Sequence, residues 1–217
     1  MGSVALTDNG SVIGEIMEMN RSHHSRNLLK MIDFILEING FSMDGIDLFA
    51  ASVGPGSFTG LRVGLATLKG ISAGAGKPLR GVPTLDAMAA RHPFSPYPIC
   101  PVLPARKNEL YFAVYRFGPD RKLETVQKAA SAGWEEFFQR VPGPVHVFGE
   151  IADELVKNCP DRERYYVSDP IKYPSASSVA KIAFEKGDAG EAIAEMAADL
   201  FLPAFPPVKR SRDDLHD

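Results

Sequence analysis

The chain has 217 residues, of which 45% are apolar and 24% charged, a composition typical of globular proteins that excludes a disordered chain. Its formal charge of −3 argues against a protein that binds nucleic acid by itself, because such a protein normally presents a basic face. The two cysteines belong to no metal-binding motif, and no apolar run approaches the roughly 18 residues that cross a bilayer. Because residues 1–9 also lack the pattern of a secretory signal, we expect a cytoplasmic protein without membrane contact.

The first predicted elements are a hairpin and a helix. Two strands, over residues 3–6 and 11–19, flank an Asp-Asn-Gly turn, which supplies the positive φ angles of a tight hairpin. The helix over residues 25–37 carries apolar side chains around more than half of its circumference, whereas one core-facing side needs less. The surplus predicts a second buried face, covered either by a partner or by the chain itself, and the sequence does not distinguish the two.

A glycine-rich loop follows the apolar strand predicted over residues 46–53 and leads into a helix over residues 58–74. A strand, a glycine loop and a helix N-terminus in this order form a general anion site. Neither the P-loop pattern nor the dinucleotide-binding pattern is met, so Rossmann and P-loop enzymes are disfavoured. The candidate phosphate loop consists of Gly54, Gly56, Ser57 and Thr59.

Glycines recur at four-residue spacing in the helix over residues 58–74, at Gly60 and Gly64 and again at Gly70 and Gly74. Each glycine in a helix costs roughly 1 kcal/mol relative to alanine, so a stripe of them needs a reason. Small residues let another backbone come close. Contact with a partner helix is the functional interpretation, and tight packing on the sheet of the same domain is the interpretation that physics alone slightly favours.

The second half of the chain begins after a proline-rich and aromatic boundary at residues 92–98, which divides the sequence into domains 1–97 and 98–217. Strands and helices alternate there, and we expect a mobile tail over residues 205–217. The predicted strands of this half cover residues 99–103, 109–117, 145–148 and 164–167, and its predicted helices cover residues 134–140, 151–158, 175–185 and 191–200. A further helix, predicted over residues 85–91 with Thr84 as its cap, precedes the boundary.

No catalytic constellation is evident. The five histidines form neither an HxxxH nor an HExxH pair, so no metal site is predicted. His146 lies in an apolar strand, where a histidine is usually a satisfied core residue, and Cys100 is most simply a small buried residue. Ser57 lacks the GxSxG context of an esterase nucleophile. We therefore predict neither catalytic residues nor metal ligands.

The segment GPGSFTGLRVG over residues 54–64 resembles the signature of the TsaB (YeaZ) family. Residues 24–29 (HSRNLL) are similar to the first helix of that family, and residues 81–85 (GVPTL) resemble its next strand-to-helix step. The resemblance covers residues 3–118 well and the remainder weakly. It implies an α/β fold of the duplicated actin/Hsp70 (ribonuclease H-like) type.

The resemblance also implies a role. Family members are non-catalytic partners in the bacterial synthesis of threonylcarbamoyladenosine at position 37 of tRNA, where the metal-holding transferase TsaD acts and the ATPase TsaE joins. It implies a homodimer in the absence of TsaD, contact with tRNA only through the complex, and no cofactor other than ATP or ADP at the TsaD interface. The implied partner-binding residues are Leu28, Leu29, Ile32, Ile35, Leu36, Phe58, Gly60, Leu61, Gly64 and Leu68.

Two departures from the family pattern qualify these expectations. The family begins with a strand of the pattern L-A-I-D-T-S, which would precede Ser3 and has no counterpart here, so two strands of the first half should lack a ladder partner. Either the gene start is misplaced or the protein binds no nucleotide by itself. Pro104 stands where the family has Asp, and any polar role of that carboxylate is lost. A stand-alone actin-like nucleotide-binding enzyme (a kinase or a glycoprotease-type peptidase) and a plain homodimer remain the alternatives.

Overall fold

The structure is a computed structural model that describes residues 2–19, 24–167 and 172–186, with residues 24–26 described by their backbone only. Its first half contains four strands and three helices. They are β1 (Gly2–Asp8), β2 (Ser11–Glu18), α1 (His24–Ile38), β3 (Phe49–Ser52), α2 (Phe58–Ala75), β4 (Leu79–Val82) and α3 (Thr84–Ala89).

Local chemistry explains where these elements begin and end. β1 and β2 pair antiparallel from Gly2 opposite Glu18 to Asp8 opposite Ser11, and the turn residues Asn9 and Gly10 both have positive φ, as the sequence predicts for a tight hairpin. The Ser57 hydroxyl caps α2 by accepting the Gly60 N–H. The same helix ends at Gly76, whose left-handed φ of 65° suits a residue without Cβ.

The second half forms one five-stranded sheet with the order β7-β6-β5-β8-β9, in which β5 is central. β5 pairs antiparallel with β6 and parallel with β8, and its last residue, Pro104, is exposed. The strands are β5 (Ile99–Pro104), β6 (Glu109–Phe117), β7 (Leu123–Gly133), β8 (Val145–Gly149) and β9 (Tyr165–Val167), and the helices are α4 (Trp134–Arg140), α5 (Ala152–Lys157) and α6 (Ala176–Glu185).

The first half repeats this order with its central strand absent. β2 and β1 correspond to β7 and β6, and the parallel pair β3 and β4 corresponds to β8 and β9. Within the described residues no strand joins the two pairs, which stand as separate two-stranded sheets. The described residues thus agree with the prediction that the first half lacks one strand, and the duplication gives the chain the α/β fold of the actin/Hsp70 type.

In each half, the last described helix packs against strands of the other half. α3 packs on β5 and β6, whereas α6 packs on the strands of the first half, including both β1 and β3. Two side chains of the hairpin satisfy the N-terminus of α6: the Ser3 hydroxyl accepts the Ala176 N–H at 3.0 Å, and the Glu15 carboxylate accepts the Ser177 N–H at 3.1 Å. The crossing makes the two halves depend on each other for their cores.

The largest buried cluster lies between the second-half sheet and helices α4 and α5, around the fully buried side chains of Phe112, Phe137 and Leu155. α3 seals the opposite side of β5 with Leu85 and Met88. The first half has a smaller cluster, in which Leu6, Ile32, Ile35 and Leu36 are the buried members. This imbalance follows from the missing central strand, which would bury side chains on both of its faces.

One predicted boundary is wrong, and one strand was not predicted. β3 begins at Phe49 rather than at residue 46, because it extends only as far as its partner β4, and the residue before β4 is Pro78, which has no N–H to donate. β7 has no counterpart among the predicted strands. It is an edge strand with a polar, alanine-rich sequence and little burial, so neither alternation nor β-propensity reveals it.

The helix predicted over residues 191–200 and the tail over residues 205–217 lie outside the described residues, as do His23 and His216. None of the helices in the described part of the chain is both long and apolar enough to span a bilayer.

Candidate functional site

The α1 helix divides its apolar residues between the core and the surface. Ile32, Ile35 and Leu36 are buried and pack near Leu6 of β1, with Leu28 partly buried beside them. These four side chains thus serve the chain's own core. Leu29, by contrast, is 52% exposed. Of the sequence-predicted partner-binding residues on α1, only Leu29 presents most of its side chain to solvent.

Two further apolar residues of α1 are exposed that are not among the predicted partner-binding residues. Phe34 and Ile38 lie one helical turn apart, and each exposes more than half of its side chain. The wide apolar arc of this helix is the sequence signal for them, because the core uses only part of the arc. One portion of the arc packs within the chain and the other faces outward, so the described chain does not cover the whole arc.

The predicted partner-binding residues of α2 likewise include both exposed and partly buried side chains. Phe58, in the first turn, is 60% exposed, and the Arg62 guanidinium lies 5.2 Å from its ring centre. Leu61 and Leu68 are partly buried, and Leu68 packs against the first-half core. An exposed aromatic ring covered only by an arginine on its own helix is accessible to a second protein.

The glycines of α2 face open space. An added Cβ at Gly64, Gly70 or Gly74 would meet no atom within 4 Å, apart from the helix's own nearby backbone, in the described structure. At Gly60 it would meet only the side chain of the capping residue Ser57. The interpretation that these glycines pack on the sheet of their own domain is wrong, because such packing would place sheet atoms against them. We give the name α1–α2 surface to a set of residues on the two helices: the exposed Leu29, Phe34, Ile38, Phe58, Gly70 and Gly74, together with the half-buried Gly64, whose Cβ position is open.

The glycine loop before α2 is held by its own chain. Gly54 has a φ of 113°, which is unfavourable for any residue with a Cβ, and its carbonyl accepts the Thr84 N–H at 2.8 Å. Ser57 already accepts the Gly60 N–H, while Gly56 and Thr59 are exposed at the helix start. The loop has the strand–loop–helix geometry that the sequence predicts, and its capping serine occupies one of the N–H groups that an anion would use.

Two histidines, His92 near the end of the first half and His146 of the second half, lie close together although 54 positions separate them. The ring centres of His92 and His146 lie 5.0 Å apart, and the His146 Nδ1 lies 3.2 Å from the Ser95 hydroxyl. The predicted satisfied histidine is thus confirmed for His146. Burial, followed by the charges of His146 and Arg91, lowers the pKa of His92 to about 4, so its ring is neutral at pH 7. Sequence spacing gave no signal for this pair.

The Cys100 thiol and the potential metal ligands are the remaining groups that could take part in a reaction. Cys100 is fully buried, as the sequence predicts, and burial raises the pKa of its thiol well above the usual range, which makes the thiol unreactive. In the three described ranges, no three side chains among His, Cys, Asp and Glu come together as metal ligands would. The described residues thus present surfaces for contact more clearly than groups for catalysis.

Comparison with known proteins places these features in context. Residues 11–139 match the family described as TsaD, tRNA N6-adenosine threonylcarbamoyltransferase. A protein of Haemophilus influenzae, tRNA threonylcarbamoyladenosine biosynthesis protein TsaB, is 34% identical over 139 residues, which are 63% of this chain and 54% of that protein. The Escherichia coli protein of the same name is 36% identical over 116 residues, 52% of this chain and 50% of that protein. The chain thus spans about half the length of these curated relatives.

Solved structures share the fold over most of the chain. A Pseudomonas aeruginosa protein described as similar to peptidase YeaZ superposes with a TM-score of 0.74 at 23% identity, and the match covers 88% of each chain. A second structure, YeaZ from Pseudomonas aeruginosa, gives a TM-score of 0.73 at 22% identity over 89% of this chain and 91% of that one. At this identity the superposition establishes the fold.

Proposed function

The chain belongs to the TsaB/YeaZ family, and from this premise we propose that it is a non-catalytic subunit of the machinery that makes N6-threonylcarbamoyladenosine at position 37 of tRNA. Its task in this proposal is to stabilise and position the transferase TsaD. The curated relatives carry names that refer to the biosynthesis of this modified nucleoside, which supports the pathway.

The α1–α2 surface is the observation that supports the proposed task of binding and positioning TsaD. A helix with glycines at Gly64, Gly70 and Gly74 that face open space gives up about 3 kcal/mol of helix stability relative to alanine. Nothing in the described structure uses the close approach that these glycines permit. The exposed Phe34 of α1 and Phe58 of α2 add apolar area on the same two helices. A docked helix of a second protein would use both the flat backbone and the aromatic rings.

Side-chain chemistry supports a non-catalytic role. The transferase partner holds its metal through paired histidines in the family pattern, whereas the described histidine pair of this chain, His92 and His146, is partly buried, and His146 is hydrogen-bonded to a serine hydroxyl. Both rings of this partly buried pair pack against the Phe148 ring. The proposal further includes assembly with TsaE, a homodimer in the absence of TsaD, ATP or ADP held only at the TsaD interface, and a cytoplasmic location.

The decisive experiment measures complex formation and tRNA modification together. The chain and TsaD of the same organism are co-expressed, the complex is captured on tagged TsaD, and the modified nucleoside is quantified by mass spectrometry of tRNA from a strain that lacks the chain. We expect one-to-one capture and loss of the modified nucleoside on deletion. Absence of both effects would refute the proposal.

A matched pair of variants assigns the interface. Phe58→Asp places a charge in the α1–α2 surface, and we expect it to abolish capture of TsaD without changing the thermal stability of the free chain, because the ring is 60% exposed. Phe94→Asp is the control, since Phe94 is 83% exposed and lies outside that surface. Equal loss of capture in both variants would point to a different docking site.

A further inference from the structure

A groove on the second half has no role in the proposed binding of TsaD. It runs between α4 (Trp134–Arg140) and the segment around residues 158–165, which leads into β9, and its volume is about 1130 Å³. We call it the α4 groove. It is open to solvent rather than enclosed. Sites for small molecules have volumes of about 300–1000 Å³ and bury most of the ligand, so an open groove of this size suits a segment of polypeptide better.

Aromatic side chains form one wall and part of the floor of the α4 groove. Trp134 and Phe138 lie one helical turn apart on α4, and both are half-buried. The Phe138 ring meets the Tyr165 ring edge-on, with the ring centres 5.4 Å apart. Tyr165 is held in place because its hydroxyl donates to the Val141 carbonyl at 2.6 Å. This apolar surface is therefore preorganised, and little ordering of its side chains is needed when an occupant binds.

Tyr165 and Cys159, the two buried residues of the lining, are uncharged near pH 7. Burial raises the pKa of Tyr165 to about 12, and burial also raises the pKa of the Cys159 thiol, so both groups keep their protons. The charged residues of the lining are exposed, in contrast. Charge is thus confined to the rim of the α4 groove, above an apolar floor.

Negative charge prevails at this rim. Its charged residues are three carboxylates, Glu135, Glu136 and Asp161, and one guanidinium, Arg164. Arg164 lies 3.8 Å from the Asp161 carboxylate, and Arg140, which lies beyond the lining, is 3.2 Å from the Glu136 carboxylate. Glu135 has no ion-pair partner among the residues that the structure describes. The rim therefore holds one carboxylate whose charge no described side chain balances.

Lysine and arginine side chains match both parts of the α4 groove. Their methylene stems pack on apolar surface while the charged head stays in water, and the head is attracted to carboxylates and to the face of a tryptophan ring. Successive side chains of an extended segment point to opposite sides. A segment in which apolar and basic residues alternate would therefore place the apolar side chains on the aromatic surface and the basic ones at the rim. An acidic segment would be repelled by the rim.

Charge also distinguishes between the possible sources of such a segment. Within this chain the basic run is KRSR over residues 209–212, but three aspartates follow it over residues 213–217 and cancel its charge. A second copy carries the same net charge of −3, which makes its approach to an acidic rim unfavourable. A separate protein with a basic segment meets neither objection.

We propose that the α4 groove binds an extended segment of a second protein in which basic and apolar side chains alternate. Glu135 contacts one of the basic side chains, and Trp134 and Phe138 contact the apolar ones. The α4 groove lies in the second half of the chain, whereas the α1–α2 surface lies in the first. Binding at the α4 groove therefore does not depend on TsaD or on tRNA modification.

The α4 groove contains its own reporter, because Trp134 is the only tryptophan of the chain. Its fluorescence is followed as a synthetic peptide without tryptophan, acetyl-GVKVRVKG-amide, is added to the full chain. We expect a saturable shift of the emission. Glutamine in place of lysine and arginine should weaken binding by about tenfold or more, since exposed ion pairs contribute up to about fivefold each. Serine in place of valine should weaken binding at least as much, because the apolar contacts are lost.

A matched pair of variants locates the binding. Glu135→Lys reverses the unpaired charge at the rim, and we expect it to weaken binding of the basic peptide by about tenfold or more. Glu37→Lys is the control, because it changes the net charge by the same amount at an exposed residue of α1, outside the α4 groove. It should leave the affinity unchanged to within about twofold, since distant surface charges are screened by salt. The melting temperature of each variant verifies that it folds.

Four results would overturn the proposal. Emission that does not change at millimolar basic peptide, or that responds equally to the glutamine peptide, would show that the α4 groove does not recognise a basic segment. Equal weakening by Glu135→Lys and Glu37→Lys would place the binding elsewhere. Tighter peptide binding after removal of residues 205–217 would identify the chain's own segment as the occupant. A dimer that the peptide dissociates into monomers would identify a second copy.

Discussion

Replacing the open glycines of α2 by alanine is expected to change stability and binding in opposite directions. Gly64, Gly70 and Gly74 have no left-handed φ, and an added Cβ would meet no atom within 4 Å apart from the nearby backbone of the helix itself. Because only the cost of ordering glycine changes, each substitution should stabilise the free chain by up to about 1 kcal/mol. The three positions share no partner, so their effects should add.

The expected sizes follow directly. The triple variant gains up to about 3 kcal/mol, which for a chain of this length corresponds to a rise in melting temperature of about 6–12 °C. Three methyl groups on a surface that a second helix must approach closely should also weaken TsaD binding by at least about tenfold, which is ~1.4 kcal/mol. Calorimetry of the free chain and titration with TsaD measure the two effects on the same sample.

The test is demanding because the same triple variant must show higher stability and weaker TsaD binding. Gly76→Ala is the control, because Gly76 has a φ of 65° and should lose stability on substitution although its surroundings are equally open. A fall in melting temperature for the triple variant would show that the glycines are packed in the free chain. A rise in melting temperature with undiminished TsaD binding would refute their role in docking.

Three further outcomes are expected from the contacts that hold the fold. Glu15→Ala removes two hydrogen bonds to α6, from the N–H and the hydroxyl of Ser177, and should lower the unfolding free energy in urea by about 1 kcal/mol. Gly149→Ala should destabilise the chain by more than about 3 kcal/mol, because Gly149 has a φ of 130° and a Cβ there would overlap the Val102 carbonyl of the neighbouring strand; expression and melting temperature report it. His92 has a pKa lowered from 6.5 to about 4, so melting temperature should fall as pH drops from 6.5 to 4, since the unfolded chain binds a proton that the folded chain excludes.

Each of these outcomes has a matched comparison. Glu15→Gln keeps an acceptor oxygen and should retain most of the stability that Glu15→Ala loses. Gly133→Ala should be tolerated, because its new Cβ would lie at an ordinary 3.8 Å from the nearest atom. His92→Phe should flatten the acidic fall in melting temperature. An unchanged pH profile in that variant would assign the fall to other groups, among them His146, whose pKa burial also lowers.

Most of the secondary structure was predictable because it depends on local chemistry. The Asp-Asn-Gly turn, the Ser57 cap and the glycine after α2 each act within a few residues, so the hairpin and the helix follow from the sequence. β7 was not predictable, since its polar, alanine-rich strand is held by pairing with β6 rather than by its own propensity. The start of β3 likewise depended on its partner strand.

The candidate site shows the same division. The apolar arc of α1 and the glycines of α2 indicate two helices with more contact capacity than one core needs. Only the packed chain decides that Ile35 turns inward, at 2% exposure, while Phe34 beside it turns outward. The meeting of His92 and His146 is also invisible in the sequence, because a sheet brings together residues that are 54 positions apart.

The sequence by itself determined the family and the duplicated α/β fold, because motifs, periodicity and turn residues are local properties of the chain. Tertiary structure alone decided which side chains of α1 and α2 remain on the surface, and that α3 packs on strands of the second half whereas α6 packs on strands of the first half. Those outcomes depend on how distant segments share buried area, and no local stretch of residues encodes that distribution.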